Sequence, residues 1–557
     1  MKNKIILGCV LAGMMLTTSC GSYLDEDPKG QLTSTTFFKN QSELDMAVYA
    51  MFRAANKTSN STLETGDRWQ GDDITTNPGS NKQVWAEFDR FTTSDANRAT
   101  TTGWNAFYSL IKAANYIILN ASNTPTTSDE INIALGQAKY WRAYAYFRLV
   151  RTWGPVPICE TTEIDYNAKL SPVEDIYAQI IKDLTDAISF LPTNYTTAPR
   201  KIFGVNAYVT KQAAQATRAA VYMAMAGFPL NKGTECYKLA AADAKAVIDG
   251  EDAYGFKLDT DFSKVYAPSN NYNMETVIGL GRTQIFGWSD EANEITLSDL
   301  FESQGGWGDC WGEIKFWKNM PDCPRKDAIY CPKILYGNTT TTVAGTYKGQ
   351  LVNWYDLDDN GNKIIPEYHP MISVNLVGKN KVTYNYAVDY EDFDYTKGAA
   401  SSANSNAHRC RLIRYSEVLL WYAESQARAD GAPNNLAYQC INRVRERAGL
   451  SDLPAGMNGN DFAEAAMKEH GWEVACYWIG MVSRRDDQLR MNTLKETFAD
   501  RLSNKPIVVA VVNGKEIKAA ESVAVTATAW TDDMNYAQYP NSDYSLNPNL
   551  KRTDLLK

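Results

Sequence analysis

From Gln137 to Pro157 the chain reads Gln-Ala-Lys-Tyr-Trp-Arg-Ala-Tyr-Ala-Tyr-Phe-Arg-Leu-Val-Arg-Thr-Trp-Gly-Pro-Val-Pro, and few folds can house such a run. Apolar or small residues fall at Ala134, Ala138, Trp141, Ala145 and Leu149, in steps of three or four, which is the stripe of a core-facing helix. Tyr140, Tyr144 and Phe147 make a second row beside it, so the buried face is wide. Alanines between the rings let neighbouring helices approach closely while the rings fill the gaps. Gly154-Pro155 ends the helix, because proline has no N–H to donate and disfavours helical geometry in the residue before it.

Further helices come in pairs. Glu43 to Ala54, Trp104 to Leu119 and Val173 to Leu191 each carry one apolar face. Thr210 caps a run of alanines from Lys211 to Ala226, closed by Gly227 and Pro229, and Glu235 to Ile248 follows at once. Tyr415 to Ala429 and Asn435 to Ala448 repeat that form. The fold class this predicts is mainly α, with helix–turn–helix units of tetratricopeptide-like form, although no strict 34-residue repeat is legible. Between about 255 and 408 the texture changes. Strand-like runs (Thr276 to Leu280, Val382 to Val388) alternate with Gly, Asn and Asp turns, and tryptophans occur without period. This predicts a large irregular loop and short-strand insertion in a helical scaffold spanning about 36–254 and 409–500.

The chain opens as an export signal over 1–19: Lys2 and Lys4, a mostly apolar run from Ile5 to Leu16, then Thr-Thr-Ser before Cys20. That run is too short to span a bilayer as a helix, which takes about 20 apolar residues. A cysteine after small residues at such a point resembles a lipobox, in which Cys20 is acylated and becomes the first residue of a mature chain 20–557. The alternative is ordinary cleavage beside an unmodified cysteine.

Several phrases resemble one family. Ala138-Lys-x-x-Arg-Ala-x-x-Tyr-Phe-x-Leu-Val-Arg-x-Trp-Gly-x-Val-Pro157, Trp104-x-x-x-Tyr108-x-x-Ile-x-x-Ala-Asn115, Arg414-Tyr-Ser-Glu-Val-Leu-Leu-Trp-Tyr-Ala-Glu-Ser425 and Asn442-x-Val-Arg-x-Arg-Ala-Gly-Leu450 are similar to motifs of the SusD/RagB lipoproteins. Tyr23-Leu-Asp-x-x-Pro28 and the Pro- and Asn-rich segment from Tyr539 to Leu550 are similar to that family's opening and ending. Glu469 to Arg484 departs from the pattern, with only Trp472-Glu473 and Arg484 fitting well. The resemblance implies a lipid-anchored nutrient binder at the outer face of the outer membrane. It implies an oligosaccharide ligand, delivery to a SusC-type TonB-dependent transporter, and binding without turnover. A peptide-binding RagB-type member and a surface glycosidase are the alternatives.

Composition narrows the partners. The formal charge is −9 with no Lys/Arg-rich run, which argues against nucleic acid. Ten cysteines include Cys9 within the signal and Cys20 at its end, and the others form no Cys-x-x-Cys pair of the kind that zinc sites use. Cys310, Cys323 and Cys331 lie close enough in sequence for a disulfide in an exported chain. Arg414, Glu417, Arg443 and Arg447 sit on scaffold helices and are read as structural ion-pair partners.

Sugars present polar edges and apolar faces, so a glycan site needs flat rings to stack on and amides, carboxylates or guanidinium groups for the hydroxyls. Two loop regions meet that description: Asp67-Arg68-Trp69 with Asp72, Asp73, Asn77 and Trp85, and Trp288, Glu291, Asn293, Trp307, Asp309 and Trp311. The ligand-contact candidates are Arg68, Trp69, Asp73, Trp85, Trp288, Asn293, Trp307 and Trp311. Asp356, Asp358, Asn360 and Glu367 meet the calcium-loop spacing. A strand-like run before them and Pro366 favour instead a hairpin with a tight Asn-Gly turn. No other cofactor is indicated. Only three histidines exist, and no nucleophile elbow or phosphate-binding glycine loop is present.

Overall fold

The aromatic helix is the hub of the molecule. It runs from Ser128–Trp153, opened by the Thr127 hydroxyl accepting from Glu130 N and ended at Gly154 with φ 74°. The sequence predicts one wide buried face; every residue from Tyr140 to Trp153 is in fact buried, on all sides. This is affordable because each buried guanidinium has an anion or carbonyl to meet. Arg142 grips Asp183 with two bonds of 2.8 Å, Arg148 meets Asp67 at 3.2 Å, and Arg151 meets Asp486 at 3.1 Å.

This computed structural model describes residues 37–266, 270–281, 298–304, 306–336, 347, 349–373 and 409–551. The export signal, Cys20, Trp288, Asn293 and the strand expected at Val382 to Val388 lie outside the described residues. In chain order the long helices are α1 (Gln41–Lys57), α2 (Arg98–Asn120), α3 (Ser128–Trp153), α4 (Val173–Phe190), α5 (Lys211–Ala226), α6 (Thr234–Ile248), α7 (Tyr415–Asp430), α8 (Asn435–Arg447), α9 (Gly459–Glu473), α10 (Arg484–Arg490) and α11 (Leu494–Ser503).

Each helix from α1 to α6 packs on the next. The stack then continues from α6 onto α7, from the far end of the sequence, and α7 packs in turn on α8 and α9. One core of alanines, aromatic rings and branched residues runs through all of them. The fold is mainly α, in the helical-pair arrangement that the sequence predicts.

Two short strands bring the chain back to this frame. β2 (Thr276–Leu280) and β4 (Cys410–Arg414), numbered after β1 (Ile74–Thr75) and with β3 (Trp311–Gly312) between them, pair antiparallel, and both are wholly buried. β4 enters α7 directly, and a charge cluster locks the joint. Arg414 reaches Glu473 at 2.6 Å and Glu275 at 3.2 Å; Arg447 meets the same two acids, and Arg325 joins Glu473 at 2.9 Å. Burial alone would raise the Glu473 pKa, but Arg447, Arg414 and Arg325 outweigh it and hold this carboxyl well below the usual range. Arg443 pairs with Glu251 at 2.9 Å, so the scaffold arginines do act on the scaffold.

The loop-rich region encloses a smaller core of Leu300, Phe301, Trp311, Ile334, Val352, Trp354 and Met371. No disulfide joins Cys310, Cys323 and Cys331. Cys331 turns its Sγ to the Lys333 carbonyl at 2.9 Å, and Cys310 is enclosed beside Asp299 and Cys476. A last hairpin, β5 (Ile507–Val512) with β6 (Lys515–Ala519), follows α11 and buries Val509 and Ala519 in that smaller core.

Candidate ligand-binding site

The two loop regions singled out in the sequence meet. After a 3₁₀ turn at Gly66–Gln70, β1 pairs antiparallel with β3, placing Thr75 opposite Trp311. Glu313 N donates to Asp73 O at 3.1 Å, and the Trp69 indole donates to Asp309 O at 3.0 Å. Lys82 Nζ lies 2.6 Å from Asp309 Oδ1, and Asn77 Nδ2 donates to Glu302 Oε2 at 3.1 Å. Chain segments more than 200 residues apart are thus stitched into one surface.

Most of the rings expected to face a ligand are turned inward. Trp69 is 0% exposed, Trp311 2% and Trp85 9%. Trp69 lies between Trp85, with centroids 6.2 Å apart, and Trp478 at 5.9 Å; Trp311 packs against Phe301 and His369. Arg68 is buried against Asp486 and Ser483. Asp73 is buried too, accepts from Cys476 N at 2.9 Å, and is raised to about 6 by its loss of solvent. These five residues are corrected from ligand contacts to floor: side chains so nearly enclosed offer a sugar little or nothing to touch.

Trp307 is different. It stands half-buried at the edge of the smaller core, on the loop that carries the exposed Glu302. Asn77 is half-buried, its Oδ1 accepting from Gly79 N at 2.8 Å in a local turn while its Nδ2 donates to Glu302. Lys82, which is not among the residues singled out by spacing, bridges the two loops through Asp309 and, at 3.8 Å, Glu302. A partly buried indole on the loop whose carboxylate Glu302 meets the Asn77 amide can offer a sugar a stacking face together with a donor and an acceptor nearby in the chain.

The calcium spacing resolves into a turn. Asp358 Oδ1 accepts from Asn360 N at 2.9 Å and Asn362 N at 2.7 Å, Gly361 takes φ 84°, and Leu357 bridges to Lys363. Asp356 is occupied by Asn353 N at 2.7 Å, while Glu367 is buried and holds Ser303 N and Oγ at 2.9 and 2.8 Å. The four side chains do not converge, and among the described residues no group of acids, histidines or cysteines is arranged to hold a metal.

Comparison with known proteins agrees with this frame. Residues 22–223 match a SusD-like family described as "Starch-binding associating with outer membrane", and residues 344–555 match the SusD family proper. The chain belongs to the SusD/RagB family. SusD-like protein P2 of Formosa agariphila is 26% identical over 456 residues, covering 78% of this chain and 80% of the relative. A SusD homologue from Bacteroides thetaiotaomicron superposes with TM-score 0.71 at 18% identity, over 93% of this chain and 97% of its own. A laminarin-binding SusD-like protein does so with TM-score 0.67 at 18% identity, over 91% and 98%. In this chain, helices from both ends of the sequence form the frame that carries the irregular loops. No described helix of this SusD/RagB chain is long and apolar enough to cross a membrane.

Proposed function

We propose that the protein captures an oligosaccharide at the cell surface and hands it to a SusC-type TonB-dependent transporter, tethered by acyl chains on Cys20. The ligand rests against Trp307, on the loop whose Glu302 is held by Asn77; Trp288 and Asn293 are proposed as further contacts from the sequence alone. Arg68, Trp69, Asp73, Trp85 and Trp311 keep that surface rigid from beneath, so little ordering cost falls on binding. The protein binds and does not turn its ligand over.

The observation that carries this reading is the half-open Trp307 on a loop junction held by a family frame, one relative of which is named for binding laminarin. The test is a glycan array probed with full-length Cys20→Ala protein and with the same protein carrying Trp307→Ala. Stacking on an aromatic ring is worth about 0.5–1.5 kcal/mol, so affinity for a bound glycan is expected to fall roughly 2- to 13-fold. Equal binding by both proteins would place the site elsewhere, and released reducing ends would make the protein a hydrolase.

A further inference from the structure

A separate groove lies on the other flank of the β1–β3 joint, and we infer that it is a second carbohydrate-binding cleft selective for neutral glycans. The inference rests on the reading of the chain as a glycan binder but uses none of the residues assigned to the first site. The cleft has a volume of about 360 Å³ between α9, α10, α11 and the 313–319 segment, within the size range of small-ligand sites. A second cleft of about 280 Å³ shares Glu313, Lys315 and Asp500 with it and continues along α11 toward Asn504 and Glu521. The two together suit a chain of sugars better than a single ring.

The walls carry what a sugar requires. Trp472 and Phe316 are half-buried and supply the flat apolar face. The same cleft is lined by a polar plate fixed in advance: Arg484 holds Asp72 through two bonds, of 2.8 and 3.1 Å. Gln488 is pinned by Asp72 N at 3.0 Å and by Thr497. Gly471 makes room for that plate, since a Cβ there would lie 3.2 Å from Arg484 Cδ. Hydrogen-bonding groups already held in place lose little entropy when hydroxyls replace water.

Charge sets the ligand class. Asp72 and Asp487 within the cleft are answered by Arg484, His470 and Arg490, but Glu496 and Asp500 add exposed negative charge at the rim, relieved there by Lys315. Uronates and sulfated sugars would meet repulsion, and neutral sugars would not. Among the described residues, the cation over the ring is Lys468, whose Nζ sits 5.3 Å from the Trp472 centroid. Lys468 is exposed, so it can swing aside, and a stacking sugar has to displace it.

The test uses full-length Cys20→Ala protein labelled with 5-fluorotryptophan, followed by fluorine NMR. The Trp472 and Trp307 signals are assigned with Trp472→Phe and Trp307→Phe. Probes are neutral glucan, xylan, mannan and galactan fragments, with oligogalacturonate and a sulfated galactan as anionic counterparts. At least one neutral fragment is expected to shift the Trp472 signal saturably, in the Trp307→Ala background as well, while neither anionic probe does. Trp472→Ala should weaken this binding about tenfold, Trp472→Phe should restore most of it, and Lys468→Ala should tighten it roughly 2- to 5-fold. If neutral probes move Trp307 but never Trp472, the groove is not a glycan site and the first reading stands. If they move Trp472 alone, the groove stands and the first site falls; if they move neither, both readings fail. A Trp472 signal that follows the anionic probes overturns the selectivity.

Discussion

His470 carries the clearest consequence of a single residue's surroundings. It is buried on α9, with Nδ1 2.6 Å from Asp487 Oδ2 and Nε2 3.8 Å from Glu417 Oε2. Burial favours the neutral ring, but the two carboxylates outweigh it and push the pKa up to about 9. Unfolded, the ring titrates near 6.5. The folded state therefore holds this proton more tightly, so its stabilisation is complete below pH 6.5 and is lost as pH rises through about 9. The gap corresponds to roughly 3 kcal/mol. Urea midpoints are expected to decline steadily from pH 6.5 to 9, and His470→Gln should remove most of that slope. Asp73, raised by burial to about 6, changes charge below this window and does not mimic it. An undiminished slope in the variant would assign the effect to other groups.

At the scale of elements, what repeats is legible and what is irregular is not. The ends of α5 fall where the sequence puts them, since the Thr210 hydroxyl accepts from Ala213 N and the helix stops before Gly227. The reason for that glycine was hidden. Gly227 has φ −101°, which any residue can adopt, but a Cβ would sit 2.0 Å from the Arg490 carbonyl oxygen, and Phe228 N donates to that same oxygen at 2.8 Å. The absent side chain lets the end of α5 dock on the end of α10. Gly227→Ala is expected to cost about 1–3 kcal/mol by forcing those backbones apart, lowering the urea midpoint. A variant of unchanged stability would show that the joint yields freely. The loop tryptophans were illegible for the opposite reason. Trp69 and Trp85 sit in a stretch without period, and what encloses Trp69, namely Asp309 and Trp478, lies 240 or more residues away. Spacing alone likewise suggested calcium, because nothing near Glu367 in sequence announces that Ser303 takes its carboxylate.

The molecule as a whole raises the question of what holds it at a membrane. The formal charge of −9 gives the folded body no attraction to an anionic surface, and no described helix can span a bilayer. On the proposed reading, attachment falls to acyl chains on Cys20, each buried CH₂ contributing about 0.8 kcal/mol. Wild-type protein is therefore expected in the outer-membrane fraction and open to protease added to intact cells. Cys20→Ala should move it to the soluble fraction while its unfolding midpoint and its glycan affinity in solution stay unchanged. Because Cys20 precedes the first described residue, Phe37, and belongs to none of the described elements, the two measurements separate anchoring from capture. Cys20→Ala protein that still sediments with membranes would mean that a surface of the body itself, not a lipid, provides the hold.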